Sequence, residues 1–304
     1  MSSPIKTIGF IGIGSMGRPM AQRLIGAGYS VVALDANPQA VADFASASGG
    51  QAAKSAGELA AQSDLIVTML PTSAIVERVL TGDEGILTQI KPGTKILEMS
   101  SGVPSQTQRF AQMVADAGGI MLDAPVSGGV PRAEAGELAI MVGGDTADVE
   151  AVRPVLEAMG KSIVHTGEVG SAHAMKALNN LVSAGGFLIG IEALMIGQRF
   201  GLDPDVMVDV LNSSTGMNNS TQKKFKQYVL SRAFNSGFGL DLMIKDLSIA
   251  TGIAAESATP APFSTLCREM WASAASMLGK GQDHTAVAKL IEQLANTELH
   301  PTKQ

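Results

Sequence analysis

Residues 7–20 read TIGFIGIGSMGRPM. A short apolar run, 7–11, leads into Gly12-x-Gly14-x-x-Gly17, and a helix candidate, 16–27, follows at once. Strand, glycine turn and helix in that order form the setting in which a dinucleotide's pyrophosphate lies against a helix N-terminus. In this reading Gly12 permits the tight turn, Gly14 lets the pyrophosphate approach the backbone, and Gly17 lets the helix pack closely on the sheet. Ile13, Ser15 and Met16 complete the candidate cofactor loop, and Pro19 sits in the first helical turn, where its missing N–H costs little. Asp35 ends the second strand candidate, 30–34, at about the distance from Gly17 where an acid meets the adenine ribose. A carboxylate there repels a 2′-phosphate, and 36–44 holds no Arg or Lys to offset it, so NAD is favoured over NADP. The rival readings are a ligand-free glycine turn and an ordinary solvent-facing acid at a strand end.

Outward from this stretch, apolar runs at 65–69, 95–99, 120–122, 138–142 and 162–165 alternate with helical patterns at 37–46, 74–80, 104–117 and 146–159. That alternation predicts βαβ units and a doubly wound parallel sheet over residues 1–167. Beyond Gly167 it stops, the chain runs from 171 to 199 as one apolar-periodic stretch, and residues 168–304 read as an all-α domain. Gly201-Leu-Asp-Pro204 marks one helix end and the next start, while 212–222, crowded with Ser, Asn and Thr, predicts a loop or broken helix. The apolar stretch 177–191 is 15 residues long, shorter than the roughly 20 of a bilayer span, and predicts a core helix.

Composition narrows the classes. With 304 residues, 45% hydrophobic and 16% charged, the chain can bury enough apolar surface to fold, which excludes a disordered chain. A net charge of -6 and 4% aromatics argue against a general nucleic-acid surface. One cysteine, Cys267, leaves no intrachain disulfide and predicts a cytoplasmic, reducing setting. It reads as a buried small hydrophobe, and the 16 methionines as core filler. The four histidines are scattered with no metal-ligand spacing and no paired acids, so no metal site is expected.

Three further places carry candidate chemistry. Ser127-Gly128-Gly129 follows a strand end, and such a turn can offer a hydroxyl and successive N–H groups to a carboxylate, though Ser-Gly-Gly is also a common flexible turn. Lys176 is the only charged residue between Glu168 and Glu192, with Asn180 one helical turn later on the same face. Burial in an apolar helix would favour proton exchange by such a lysine, and Asn180 could hold a substrate hydroxyl or the ammonium; a lysine snorkelling to solvent fits as well. Lys245 could reach the nicotinamide end or the substrate, while a surface pair with Asp246 is the more frequent explanation.

Taken in order, GFIGIGSMGRPM, DAPVSGG followed by AGELAIMVGG, MKALNN and LMIKDLSIA resemble the β-hydroxyacid dehydrogenase family, from Ile8 to about Ala288. The resemblance implies a Rossmann-type domain followed by a helical one, and oxidation of a short β-hydroxy acid with NAD. It makes Lys176 the catalytic lysine, Asn180 a substrate residue, Ser127, Gly128 and Gly129 the carboxylate cradle, and Lys245 a cofactor- and substrate-side residue. It also places Leu70, Pro71 and Ser101 against the cofactor. A small carboxylate substrate, a homodimer or homotetramer, and no nucleic-acid or membrane partner complete the expectation. Two positions depart from the family pattern: Ala172 stands where a second glycine is usual, and Ser101 where many members have Thr. The lysine argues against the imine reductases, and the short helical region against the 6-phosphogluconate dehydrogenases. Rival readings are an NADPH-dependent semialdehyde or glyoxylate reductase of the same family, and a dinucleotide-binding scaffold without turnover.

Overall fold

The alternating runs of the first half become one nine-stranded sheet in the computed structural model, which describes residues 5–301. Its elements are β1 (Thr7–Ile11), α1 (Gly17–Gly26), β2 (Ser30–Leu34), α2 (Pro38–Ser48), β3 (Gln51–Ala52), α3 (Ala56–Gln62), β4 (Leu65–Thr68) and α4 (Ser73–Thr81). There follow β5 (Lys95–Glu98), α5 (Pro104–Asp116), β6 (Ile120–Asp123), β7 (Val126–Ser127), α6 (Gly129–Ala135), β8 (Leu138–Gly143), α7 (Thr146–Met159) and β9 (Gly160–Gly167). The strands lie in the order β3-β2-β1-β4-β5-β6-β8-β7, with β9 on β8. Strand order reverses between β1 and β4, and the crevice beyond their carboxyl ends is where open α/β sheets hold ligands.

Pairing is parallel from β3 through β6. The expected parallel run breaks at β8, which is antiparallel to both β6 and β7. The connection 128–137 is shorter than the dozen or more residues a parallel crossover takes, so the chain returns the other way. The two-residue strands β3 and β7 and the seven-residue helices α3 and α6 are too short to leave a periodic signal, and none was expected from sequence. Alternate strand residues supply both faces, as a sheet covered by helices requires. Ile8, Phe10, Leu65 and Val67 pack with Met20 and Leu24 on one side, and Ile11, Ile66 and Ile96 pack with Leu59 and Phe110 on the other.

The chain forms two compact units, Met1–Lys176 and Ala177–Gln304. The start of α8 (Ser171–Phe200) lies in the first unit, to whose sheet it is fastened. Asp123, at the end of β6, accepts hydrogen bonds from the N–H groups of Gly170 at 2.7 Å and His173 at 2.8 Å, satisfying donors that a helix start leaves free. The His173 ring, wholly buried, sets Nε2 2.8 Å from Glu98 Oε2 and 3.0 Å from the Ser100 carbonyl. Its Nδ1 lies 2.8 Å from Thr107 Oγ1. The Thr107 hydroxyl donates to the Val103 carbonyl at 3.1 Å, so it accepts from Nδ1; Nε2 faces only acceptors. Both ring nitrogens therefore carry protons, and His173 is an imidazolium. Burial pulls its pKa down, but the charges of Glu98 and Asp123 and the hydrogen bonds to Glu98 and Ser100 outweigh that and hold it above the usual value. Burial pushes the Glu98 carboxyl up, and the His173 charge with hydrogen bonds from His173 and Ser100 brings it below the ordinary range. The expectation that no histidine has a paired acid is thus corrected: residues 98, 123 and 173, distant in sequence, meet through the sheet order.

In the second unit α8 is followed by α9 (Pro204–Asn212), α10 (Asn219–Lys223), a π-helical turn (Phe225–Leu230), α11 (Leu240–Glu256), α12 (Pro262–Leu278) and α13 (Ala288–Ala295). Asp203 caps α9 through the Asp205 N–H, as the Asp-Pro start predicts. The segment 212–222, expected as a loop or broken helix, joins the end of α9 to the short helix α10, begun by a capping box of Asn218 and Thr221. The core is aromatic at its centre, where Phe187 meets Phe225 and Trp271 edge-on at 5.3 and 5.9 Å. Helix α8 runs 30 residues, matching the apolar-periodic stretch 171–199 to within a residue and twice the length of 177–191, so its length alone does not exclude a bilayer span. The core reading rests instead on burial of Phe187, Ile191 and Leu194 in this cluster.

The ion pair has a pH signature. His173, raised, contributes stability that is full below about pH 6.5 and is lost as pH rises through its folded pKa; Glu98, lowered, contributes stability that is full above about pH 4.5 and is lost as pH falls. Urea unfolding of the wild type against the uncharged Glu98→Gln/His173→Gln pair is expected to give a stability difference greatest between about pH 4.5 and 6.5. A difference independent of pH would mean that the pair is not ionised. Glu98→Gln alone removes one partner of a buried pair and is expected to cost about 3 kcal/mol.

Candidate functional site

The glycine loop closes on itself at two of its three glycines. Gly12, at φ +102°, is in the left-handed region, and a Cβ there would come within 2.2 Å of the Met69 carbonyl oxygen. A Cβ on Gly17 would meet the Gly12 carbonyl oxygen at 1.8 Å. Gly14 differs, because a Cβ there meets nothing within 4 Å. Among the described residues the N–H groups of Gly14, Ser15 and Met16 have no hydrogen-bond acceptor, and they stand at the start of α1. Open space beside free N–H donors at a helix start fits a pyrophosphate.

Asp35 stands just past β2 with both oxygens engaged: Oδ2 accepts from the Ile13 N–H at 2.7 Å and Oδ1 from the Asn37 N–H at 2.8 Å. The carboxylate is thereby fixed against the loop, with lone pairs left for ribose hydroxyls. One cation approaches this region from outside the window read in sequence, since Arg18 on α1 donates to the Ala40 carbonyl at 3.2 Å. Leu70 and Pro71 follow β4, and the Leu70 N–H donates to Ser100 Oγ at 2.8 Å. The Ser100 hydroxyl thereby joins the loops after β4 and β5. Sheet order thus brings Gly12 to Gly17, Asp35, Leu70, Pro71 and Ser101 to the carboxyl ends of adjacent strands.

Ser127 ends β7, and Gly128 and Gly129 follow at φ +139° and +70°, exposed, in a turn that side chains would strain. A Cβ on Gly128 would also press on Arg132 at 2.8 Å. Lys176 is the last residue of the first unit and is only 8% exposed, which excludes the snorkelling alternative. It lies one turn beyond His173, so the anchored first turn of α8 sets where it stands.

Within the second unit Asn180 donates from Nδ2 to Asp246 Oδ2 at 2.6 Å. A carboxylate only accepts, so this bond fixes which way the amide faces and makes Asn180 Oδ1 an acceptor, which takes the Asn179 Nδ2 amide at 3.2 Å and keeps a second lone pair. Lys245 lies 3.5 Å from the other Asp246 oxygen. Asp246 is 2% exposed, so the surface Lys-Asp pair expected from the dipeptide is corrected to a buried carboxylate serving Asn180. Sequence reading missed Glu98, Asp123, His173 and Asp246 as site-building residues. Asp123 and Asp246 lay inside quoted motifs, and the signal was an acid in an otherwise apolar run. Cys267 is buried, and burial pushes its thiol up to about 11, as expected of an inert cysteine.

Two sequence families match: "NAD binding domain of 6-phosphogluconate dehydrogenase" over residues 7–167, and "NAD-binding of NADP-dependent 3-hydroxyisobutyrate dehydrogenase" over residues 170–291. The chain is 39% identical to 2-(hydroxymethyl)glutarate dehydrogenase of Eubacterium barkeri, over 98% of this chain and 99% of that one. It is 35% identical to mitochondrial 3-hydroxyisobutyrate dehydrogenase of Mus musculus, over 94% of this chain and 87% of that one. The solved structure of Mycobacterium tuberculosis 3-hydroxyisobutyrate dehydrogenase with L-serine superposes with a TM-score of 0.87 at 34% identity, covering 94% of this chain and 99% of that one.

The three glycines are expected to separate in their response to alanine. Gly14→Ala should leave the melting temperature within about 2 °C of wild type yet weaken NAD binding at least about tenfold, because its Cβ occupies only ligand space. Gly17→Ala should destabilise the fold itself. Calorimetric titration and thermal unfolding of both variants check this, and unchanged NAD affinity in Gly14→Ala would remove the loop from the cofactor site.

Proposed function

The chain belongs to the β-hydroxyacid dehydrogenase family, and on that premise we propose that it oxidises the carbinol of a short β-hydroxy acid, reversibly, with Lys176 as general acid and base. NAD, when bound, supplies the hydride acceptor. Lys176 Nζ takes the hydroxyl proton in oxidation and returns it in reduction. Asn180, oriented by Asp246, offers its carbonyl oxygen to the hydroxyl or the ammonium. The turn at Ser127, Gly128 and Gly129 holds the substrate carboxylate, and the glycine loop with Asp35, Leu70, Pro71 and Ser101 holds the dinucleotide. Lys245, paired with Asp246, is assigned to the cofactor and substrate in the same reading. The first substrates to try are 3-hydroxyisobutyrate and 2-(hydroxymethyl)glutarate, whose names the relatives carry. The two share a hydroxymethyl group beside a carboxylate and differ in the tail. Domains at 1–167 and 168–304 and a soluble enzyme of the cytoplasm belong to the same reading.

The observation that carries it is the buried position of Lys176 on a helix whose first turn is fixed by Asp123 and His173. A scaffold that only binds has no use for a proton carrier held there. Lys176→Met keeps the apolar stem and removes the proton carrier, so kcat is expected to fall about 10²–10⁴-fold while NAD affinity stays within about threefold. Steady-state rates and a cofactor titration on one preparation check it; a loss under about tenfold would overturn the role.

We further propose that the protein is a homodimer or homotetramer. Val182, Ile189 and Ile196 recur at seven-residue spacing along α8 with Phe200 four residues on, and all are exposed, forming an apolar stripe suited to a second copy. Light scattering is expected to give at least twice 31.3 kDa, and a monomer at micromolar concentration would remove the proposal.

A further inference from the structure

Lys224, between α10 and the π-helical turn, has a role in none of the above. Its Nζ donates to Ser183 Oγ on α8 at 3.3 Å, and no carboxylate among the described residues lies within 4 Å of it. Its two lysine neighbours are placed otherwise: Lys226 is paired with Asp205 and Asp209, and Lys223 is exposed. Burial lowers the Lys224 pKa to about 8, with Asp283 acting in the opposite direction. Asp283 is itself saturated by Ser236, the Gly237 N–H and Thr285. Burial and the Lys224 charge press the adjoining His284 down to about 4, so that ring stays neutral and offers no second cation. A partly buried ammonium with one hydroxyl partner is an unmatched charge, and its natural complement is an anion that arrives with a ligand.

The position of Ser183 says which ligand. It lies three residues after Asn180 and seven after Lys176, which on a helix is the same face, about 10 Å along the axis from Lys176. We propose that Lys224, steadied by Ser183, is the specificity residue for a second anionic group on the substrate, so that the chain prefers hydroxy dicarboxylic acids to hydroxy monocarboxylic acids. This rests on the proposed hydroxy-acid oxidation, with Lys176 and Asn180 at the reacting end. The separation suits a diacid whose second carboxylate is several bonds from the carbinol.

The test compares kcat and KM for 2-(hydroxymethyl)glutarate and 3-hydroxyisobutyrate in the full chain, in Lys224→Met and in Lys224→Arg. Calorimetric titrations with glutarate and butyrate run alongside. In the wild type the diacid is expected to have the higher kcat/KM. In Lys224→Met its kcat/KM should fall about 10- to 100-fold more than that of the monoacid, through KM, the worth of one charge-assisted hydrogen bond. Lys224→Arg should recover most of it. Equal losses on both substrates would make Lys224 a structural residue, and no loss on the diacid would remove the role. If neither acid is turned over, the function fails separately, and glutarate decides the lysine. Binding that depends on Lys224 and exceeds that of butyrate upholds the anion site, and equal binding by wild type and Lys224→Met overturns it.

Discussion

A buried imidazolium holds this protein's chemistry in place. His173 sits between the Glu98 carboxylate and Asp123, with Thr107 and the Ser100 carbonyl completing its shell, groups drawn from the end of β5, from α5 and from the end of β6. The charge is costly to bury alone, so the groups that neutralise it must be assembled together. Gly102 leaves room for the ring: a Cβ there would come within 2.9 Å of His173 and 3.2 Å of Glu98. The outcome is a helix start that cannot slide or turn on the sheet. Lys176, one turn beyond His173 and still within the sheet unit, inherits that register.

Polar pairs of this kind recur, and each fixes a direction as well as a distance. Asp123 takes two backbone N–H groups of the turn into α8. Asp246 takes the Asn180 amide N–H and thereby decides which of its two ends accepts. Asp35 takes the Ile13 N–H and ties the glycine loop to the end of β2. Three acids thus hold three pieces of a proposed site through hydrogen bonds whose partners are unambiguous, because a carboxylate can only accept. Buried carboxylates contribute less to net stability than apolar replacements often would, which suits a role in orientation.

Much of the fold was legible because its signals are local. A strand such as 7–11 leading into Gly12, Gly14 and Gly17, or Asp-Pro at the start of α9, expresses its structure within a few residues. The central strands and the helices α1, α2, α4, α5 and α7 therefore lie within two residues of their expected places. Elements of only one or two periods, β3, β7, α3 and α6, repeat too few times to carry such a signal. The antiparallel turn of β8 was hidden for another reason, since it depends on how long a connection is rather than on what any residue prefers.

The sequence by itself determined the Rossmann-type sheet, the helical second half, the glycine loop, and the short set of residues, Lys176 and Asn180 among them, whose chemistry fits a hydroxy-acid dehydrogenase. Tertiary structure alone decided which charges meet. Glu98, Asp123 and His173 are scattered along the chain, and so are Asn180 and Asp246 or Ser183 and Lys224; each residue read singly has a commonplace surface explanation. Whether a charge is exposed, paired or left without a counter-charge depends on the burial around it and on partners dozens of residues away. Those are properties of packing, and no local pattern encodes them.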